Sequence, residues 1–225
     1  MIAILERRGL VAVGGEDRYT FLHGLLTADL APVKAGGGAY ALMLTAQGRF
    51  VHDAFVVEHQ KAFWLETAAE RADALVLRLK PYRLRARVGI APVAEPHVVG
   101  ALLDASDAGA AAVPDASDPA GGLVHWQSAA AAHGGVVFAD PRLPAMGGRL
   151  WLPEARFSDF LAATGAVTGP AEAYHRARIG QGIAEGDDLE PERSLPLDYG
   201  LDRLNAIGWK KGCYLGQEVT ARMHY

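Results

Sequence analysis

Cysteine is nearly missing from this 225-residue chain: Cys213 stands alone, so no disulfide can form within it. Metal-ligand spacing is missing as well. The eight histidines are scattered without an HxxxH pair, so no metal site built by this chain alone is expected. No GxGxxG follows a strand, no GxxxxGK[ST] loop occurs and no Gly-x-Ser-x-Gly elbow is present, which removes the common nucleotide-binding and hydrolase signatures. There is no excess of positive charge. The 22 basic and 26 acidic residues leave a net charge of −4, which gives no footprint for nucleic acid. No apolar run approaches the roughly 20 residues that cross a bilayer, so no membrane partner is expected either. The opening stretch, MIAILERRGLVAVGG, lacks the charged-then-apolar order of a signal peptide. Together with the lone cysteine, this makes a cytoplasmic protein the expectation.

Half of the residues are apolar, enough to build a core in one large domain or two small ones. VAVGG reads as a strand and a turn, and Phe21, Leu22, Leu25, Leu26 and Leu30 then recur at helical spacing. YALMLTAQGRFVHDAFVVEH reads as a β-hairpin turning at Gly48, and AFWLET as a third strand. In TAAERADALVLRLK, Thr67 and Glu70 are spaced as a capping box before a helix with Ala72, Leu75, Val76 and Leu79 on its buried stripe.

LRARVGI alternates Leu84, Ala86, Val88 and Ile90 against Arg83, Arg85 and Arg87, the pattern of a half-buried strand with a solvated or ligand-binding arginine face. GLVHWQ, GVVFAD and RLWLP read as short strands and ARFSDFLAATG as a helix. The Ala-, Gly-, Asp-, Ser- and Pro-rich segment 104–122 reads as a loop. GPAEAYHRARIGQG restarts a helix, with Pro170 at its first turn. The next 28 or so residues are aperiodic, which suits a segment that wraps a surface or builds a site. The fold class expected is therefore α+β, with antiparallel sheets and helices in two small ferredoxin-like units.

Chemistry concentrates at KKGCYLGQEVTAR, residues 210–222. A lone cysteine is often an inert small hydrophobe. Here Gly212 and Gly216 allow tight turns, while Lys210, Lys211 and a helix starting at Gln217 would favour a thiolate. If exposed, Cys213 is a nucleophile or soft-metal ligand; if buried, it is neither.

KGCYLGQE resembles the K-G-C-[YF]-x-G-Q-E signature of the YgfZ-type folate-binding proteins of iron–sulfur cluster assembly and repair, relatives of the glycine-cleavage T-protein (aminomethyltransferase, GcvT-like). FLHGLLTADL, LTAQGRFVHDAFV, FADPRLPAMGGRLW and the run from RIGQGIAEG to the signature resemble further segments of that family, so the likeness covers nearly the whole chain. It implies a GcvT-like fold, with residues 1–83 and 166–225 forming a discontinuous folate-binding domain and 84–165 inserted as a second α+β domain. The implied cofactor is tetrahydrofolate or a one-carbon derivative, and the implied partners are folate and iron–sulfur client or assembly proteins.

Within the resemblance, Cys213 is the key residue and Lys211 lies beside it. Asp53 can pair with the N–C–N edge of a pterin or remain a solvated carboxylate at a strand end. Tyr214 and Trp209 can stack on a flat ring or pack within their own loop. Gln217 and Glu218 fix the loop, cap a helix or meet the ligand. Arg222 meets the folate tail or sits in a surface ion pair. The T-protein carries a carboxylate where His52 stands here, which weakens an aminomethyltransferase reading. Gly180 and Ala184 replace an acid and a proline of the pattern. The sequence stops at Met223-His224-Tyr225, where relatives continue into a β-barrel, so a lacking or truncated barrel is expected.

Overall fold

A computed structural model describes residues 1–103 and 122–225. The first half contains β1 (Ile2–Ile4), β2 (Arg8–Gly14), α1 (Arg18–His23), α2 (Ala31–Lys34), β3 (Gly38–Leu44), β4 (Phe50–His59), β5 (Ala62–Ala68), α3 (Ala72–Leu79) and β6 (Gly89–Pro92). Then follow β7 (His97–Leu102), α4 (Gly122–Ala132), β8 (Val136–Ala139), β9 (Gly148–Pro153), α5 (Phe157–Thr164), β10 (Thr168–Gly169), α6 (Ala171–Gly180) and α7 (Gln217–His224). These elements form two compact units, one of residues 1–6 with 94–182 and one of residues 7–93 with 183–225.

The larger unit is built on an antiparallel sheet of order β3-β4-β5-β2-β6. One face carries Val11, Val13, Ala41, Met43, Ala54, Val56, Phe63 and Leu65, which pack with Phe21 and Leu22 of α1 and Leu75, Val76 and Leu79 of α3. Burial of such side chains is the main stabilising term, about 1.5–3 kcal/mol each. The expected hairpin forms, with Gly48 at φ +74°. The smaller unit has the sheet order β10-β1-β7-β9-β8, antiparallel except for β1 with β10. Its core joins Ile2, Leu102, Leu150 and Leu152 to Trp126 and Ala130 of α4 and Phe160 of α5. Among the described residues both sheets are open and neither closes into a barrel.

Several local expectations are corrected. The helix expected across Phe21–Leu30 ends at His23. Leu26 instead bridges to Met43 and the Thr27 N–H donates to the Leu42 carbonyl, because an extended run satisfies the free edge of β3. No capping box forms at Thr67: it stays in β5 opposite Gly9, its hydroxyl has no hydrogen-bond partner among the described residues, and a 3-10 turn, Ala69–Arg71, precedes α3. Residues 84–88 are not a strand. A 3-10 turn at Lys80–Arg83 leads to Leu84 at φ +42° and 89 % exposed, and pairing with β2 begins only at Gly89.

GLVHWQ is the start of helix α4, whose alanine-rich continuation favours that state and brings Trp126 and Ala130 onto Phe160. The expected 104–122 loop lies almost wholly outside the described residues. The two units also divide the chain differently from the expected boundaries at 83/84 and 165/166. Residues 89–92 pair with β2, and α6 packs with β1, which lies between β7 and β10.

Thr27 carries a second set of bonds. Its buried hydroxyl donates to the Ala206 carbonyl at 2.5 Å and accepts from the Leu42 N–H at 2.8 Å. Thr27→Val removes both and leaves two buried backbone groups unpaired. Urea denaturation is expected to report a loss of about 2–3 kcal/mol, and a loss under 0.5 kcal/mol would contradict this role.

Candidate functional site: the cysteine loop and the two faces of strand β4

The segment Gly208–Gly216 is tied down at several points. The Gly208 N–H donates to the Thr27 carbonyl at 2.8 Å and the Leu215 N–H to the Gly24 carbonyl at 3.2 Å. The Lys211 ammonium donates to the carbonyls of His23 at 2.7 Å and Leu26 at 2.5 Å, and the Lys211 carbonyl meets His23 Nε2 at 3.1 Å. Gly212 and Gly216 both take positive φ, +100° and +82°. A Cβ on Gly216 would lie 2.4 Å from the Thr45 carbonyl oxygen, so only glycine lets the loop meet the hairpin turn. On this fixed loop Cys213 is exposed and free.

Its neighbours chiefly hold the loop. Burial lowers the Lys211 ammonium to about 8, with Asp29 opposing the shift, so it remains largely charged at neutral pH and is held by two carbonyls and by the Tyr214 ring, 5.3 Å away. Tyr214 is buried, its hydroxyl has no hydrogen-bond partner among the described residues, and burial pushes its phenol up to about 12. Gln217 Oε1 accepts from the Tyr214 N–H, while the Gln217 N–H donates to the Tyr214 carbonyl. Gln217 therefore clamps the turn before α7. Arg222 pairs with Glu218 one turn away, both widely exposed. Trp209 stacks on His224 at 3.8 Å between ring centroids.

His52 and Asp53 are adjacent in β4, and side chains alternate across a strand, so the two point to opposite faces. Asp53 is 1 % exposed. Its Oδ2 accepts from the Tyr40 hydroxyl at 2.9 Å and from the Gly186 N–H at 3.2 Å, and its Oδ1 is buried without a hydrogen-bond partner among the described residues. Gly186 opens a short turn in which the Glu185 N–H also donates to Asp188. A Cβ on Gly186 would lie 2.2 Å from Asp53 Oδ1, so the turn seals the carboxylate. The alternative of a solvated strand-end carboxylate is thus corrected: Asp53 is an internal anchor for the segment after residue 183. Sequence reasoning missed Tyr40 and Gly186 as its partners. Glycine at 186 was the available signal, but nothing local ties it to a residue 133 positions away.

On the helix face, His52 lines an open concavity of about 530 Å3 with Val51, Ala74, Leu77, Arg78, Pro81 and Tyr82. Burial, with the charges of Arg71 and Arg78, lowers its imidazole to about 4. Among the described residues no three histidine, cysteine or acidic side chains gather into a metal site, and no helix is long and apolar enough to cross a membrane.

The lowered His52 value has a consequence for stability. Between about 4 and 6.5 the unfolded chain binds a proton that the folded chain does not. Stability is therefore full above pH 6.5 and declines as pH falls toward 4, by up to about 3 kcal/mol. Urea midpoints for wild type and His52→Gln at pH 7 and pH 4.5 check this: the difference between the two proteins should shift in favour of the variant at the lower pH. A difference that does not change with pH would contradict it.

No protein-family profile matches the chain. It is 35 % identical over 235 residues to the human mitochondrial iron–sulfur cluster assembly factor IBA57, covering 98 % of this chain and 62 % of that protein. It is 31 % identical over 246 residues to the mitochondrial IBA57 homologue of Chaetomium globosum, covering 100 % and 53 %. The chain thus spans between half and two-thirds of these relatives' length. Its fold matches glycine cleavage system aminomethyltransferase T from Bartonella henselae with a TM-score of 0.68 at 16 % identity, over 99 % of this chain and 62 % of that one. The relatives are named as mitochondrial proteins, which overturns the cytoplasmic expectation: a lone cysteine does not distinguish those compartments. Over essentially its whole length the chain is similar to the IBA57 iron–sulfur cluster assembly factors, and its fold is that of aminomethyltransferase T.

Proposed function

We propose that the protein is an accessory factor in iron–sulfur cluster assembly or repair and that it acts through the thiol of Cys213. The observation that carries this reading is the exposed cysteine on a loop anchored at Gly208, Lys211 and Leu215, in a chain similar to IBA57 from end to end. An accessible thiolate is a soft nucleophile and a good iron ligand. One thiolate does not hold a cluster alone, so the remaining ligands belong to a client or assembly protein, with the cluster as cargo.

Tetrahydrofolate belongs to this reading through the likeness to folate-binding relatives, and the residues fit it unevenly. Asp53 has no open face for a pterin edge, being sealed by Gly186 and Tyr40. Lys211, Tyr214 and Gln217 are engaged within the loop, and Arg222 and Glu218 with each other. The concavity beside His52 has the volume of a small-molecule site, which usually runs to about 300–1,000 Å3. It contains no carboxylate to pair with an N–C–N edge, so no chemical step is assigned to folate.

The fold match to aminomethyltransferase T favours transfer of a one-carbon unit as a second reading. It requires a fixed negative charge where a neutral imidazole stands, and it ranks below the first for that reason.

The test is rescue of an iron–sulfur enzyme in cells lacking their own family member. Wild type is expected to restore its activity, and a folded Cys213→Ala variant to restore at least tenfold less. Equal rescue by both would remove the thiol from the account. Rescue by neither would remove the assembly role.

A further inference from the structure

Around the helix face of β4 lie buried side-chain nitrogens that have no hydrogen-bond partner among the described residues. His52 is 7 % exposed, and its Nδ1 is buried without a hydrogen-bond partner. Arg78 Nε and Arg71 Nη1 are likewise buried and unpartnered, and both guanidinium groups act electrostatically on His52. Glu192 approaches Arg78 only through Nη2, at 3.8 Å, which is beyond hydrogen-bond length and leaves Nε free. His52 and Arg78 line the concavity, and its lining contains no aspartate or glutamate.

The rest of the lining is apolar or aromatic: Val51, Ala74, Leu77, Pro81 and the ring of Tyr82. Leu77 is 66 % exposed and Tyr82 37 %, so this wall is open to an arriving molecule. A neutral imidazole offers one N–H, and a guanidinium offers only donors. A floor of donors under a positive field is complementary to an anion, and a charge-assisted pair between guanidinium and carboxylate is the strong form of that contact. The apolar wall calls for a flat or branched hydrocarbon body on the same molecule.

We infer that the concavity between β4 and α3 is a binding site for a small aryl carboxylate, whose carboxylate is received by His52 and Arg78 and whose ring lies along Leu77, Pro81 and Tyr82. Arg71 stands behind the site and adds charge without lining it. Asp53 takes no part, because it faces the other side of the strand. The inference does not rest on the iron–sulfur reading, and rescue in cells can fail while this site still binds.

The test uses the full chain with 15N-labelled histidine and benzoate as the probe. Benzoate at pH 7 is expected to shift one imidazole signal saturably, and that signal is assigned to His52 by its absence from His52→Gln. Benzamide, with the same ring and no charge, is expected to bind at least tenfold more weakly. Arg78→Gln, at a half-buried position, is expected to keep its thermal midpoint and to weaken benzoate at least tenfold. Benzamide binding as well as benzoate, an unchanged affinity in Arg78→Gln, or no saturable shift of His52 would each overturn the proposal. Tetrahydrofolate, which carries carboxylates on its glutamyl end, then distinguishes sources. If it displaces benzoate, the carboxylate is folate's. If benzoate stays bound, the site serves a free aryl carboxylate.

Discussion

The organisation of the cysteine loop depends on one ammonium group. Lys211 reaches back under its own loop and donates to two carbonyls near the end of α1, at His23 and Leu26. Helix ends leave carbonyls unpaired, and a cation is the natural partner for them. Around this bond the Gly208 and Leu215 amides pair with Thr27 and Gly24, and Tyr214 is buried beneath the turn. The thiol is thereby presented on a backbone that is already ordered. A reactive group held this way does not lose conformational entropy again when a partner arrives.

The second constraint is the alternation of side chains in β4. It separates two neighbours into unrelated environments. Asp53 is a sealed carboxylate that fixes the turn at Gly186, and through it the start of the long irregular segment that returns to the cysteine loop. His52 is a neutral base at the edge of an open concavity. A chain that carried a carboxylate at position 52 would set a negative charge in that concavity between Arg71 and Arg78. The imidazole adds no countercharge to the arginine field, which changes what the surface can bind.

Much of this was legible in the sequence, for physical reasons that can be named. The glycine-flanked cysteine motif is local, so its tight turns follow from the residues within it, whereas the exposure of Cys213 is set by the fold. The hairpin around Gly48 and the buried stripe of α3 follow from periodicity. Features set by distant partners were not legible. The helix after Val13 stops early because β3 offers an unpaired edge, and Thr67 stays in a strand because Gly9 pairs with it. Lys211 reads in the sequence as support for a thiolate but is directed to the His23 and Leu26 carbonyls, since sequence shows charge but not where a flexible side chain points. The partnership of Asp53 with Tyr40 and Gly186 belongs to the same class.

The central claim is that the Lys211 clamp orders the loop that carries Cys213. Hydrogen exchange of the Gly208 and Leu215 amides in wild type and in Lys211→Met tests it most directly. The account predicts protected amides in wild type and at least tenfold faster exchange at both positions in the variant, with the core strands β4 and β5 unchanged. Equal protection of the two amides in both proteins would contradict it.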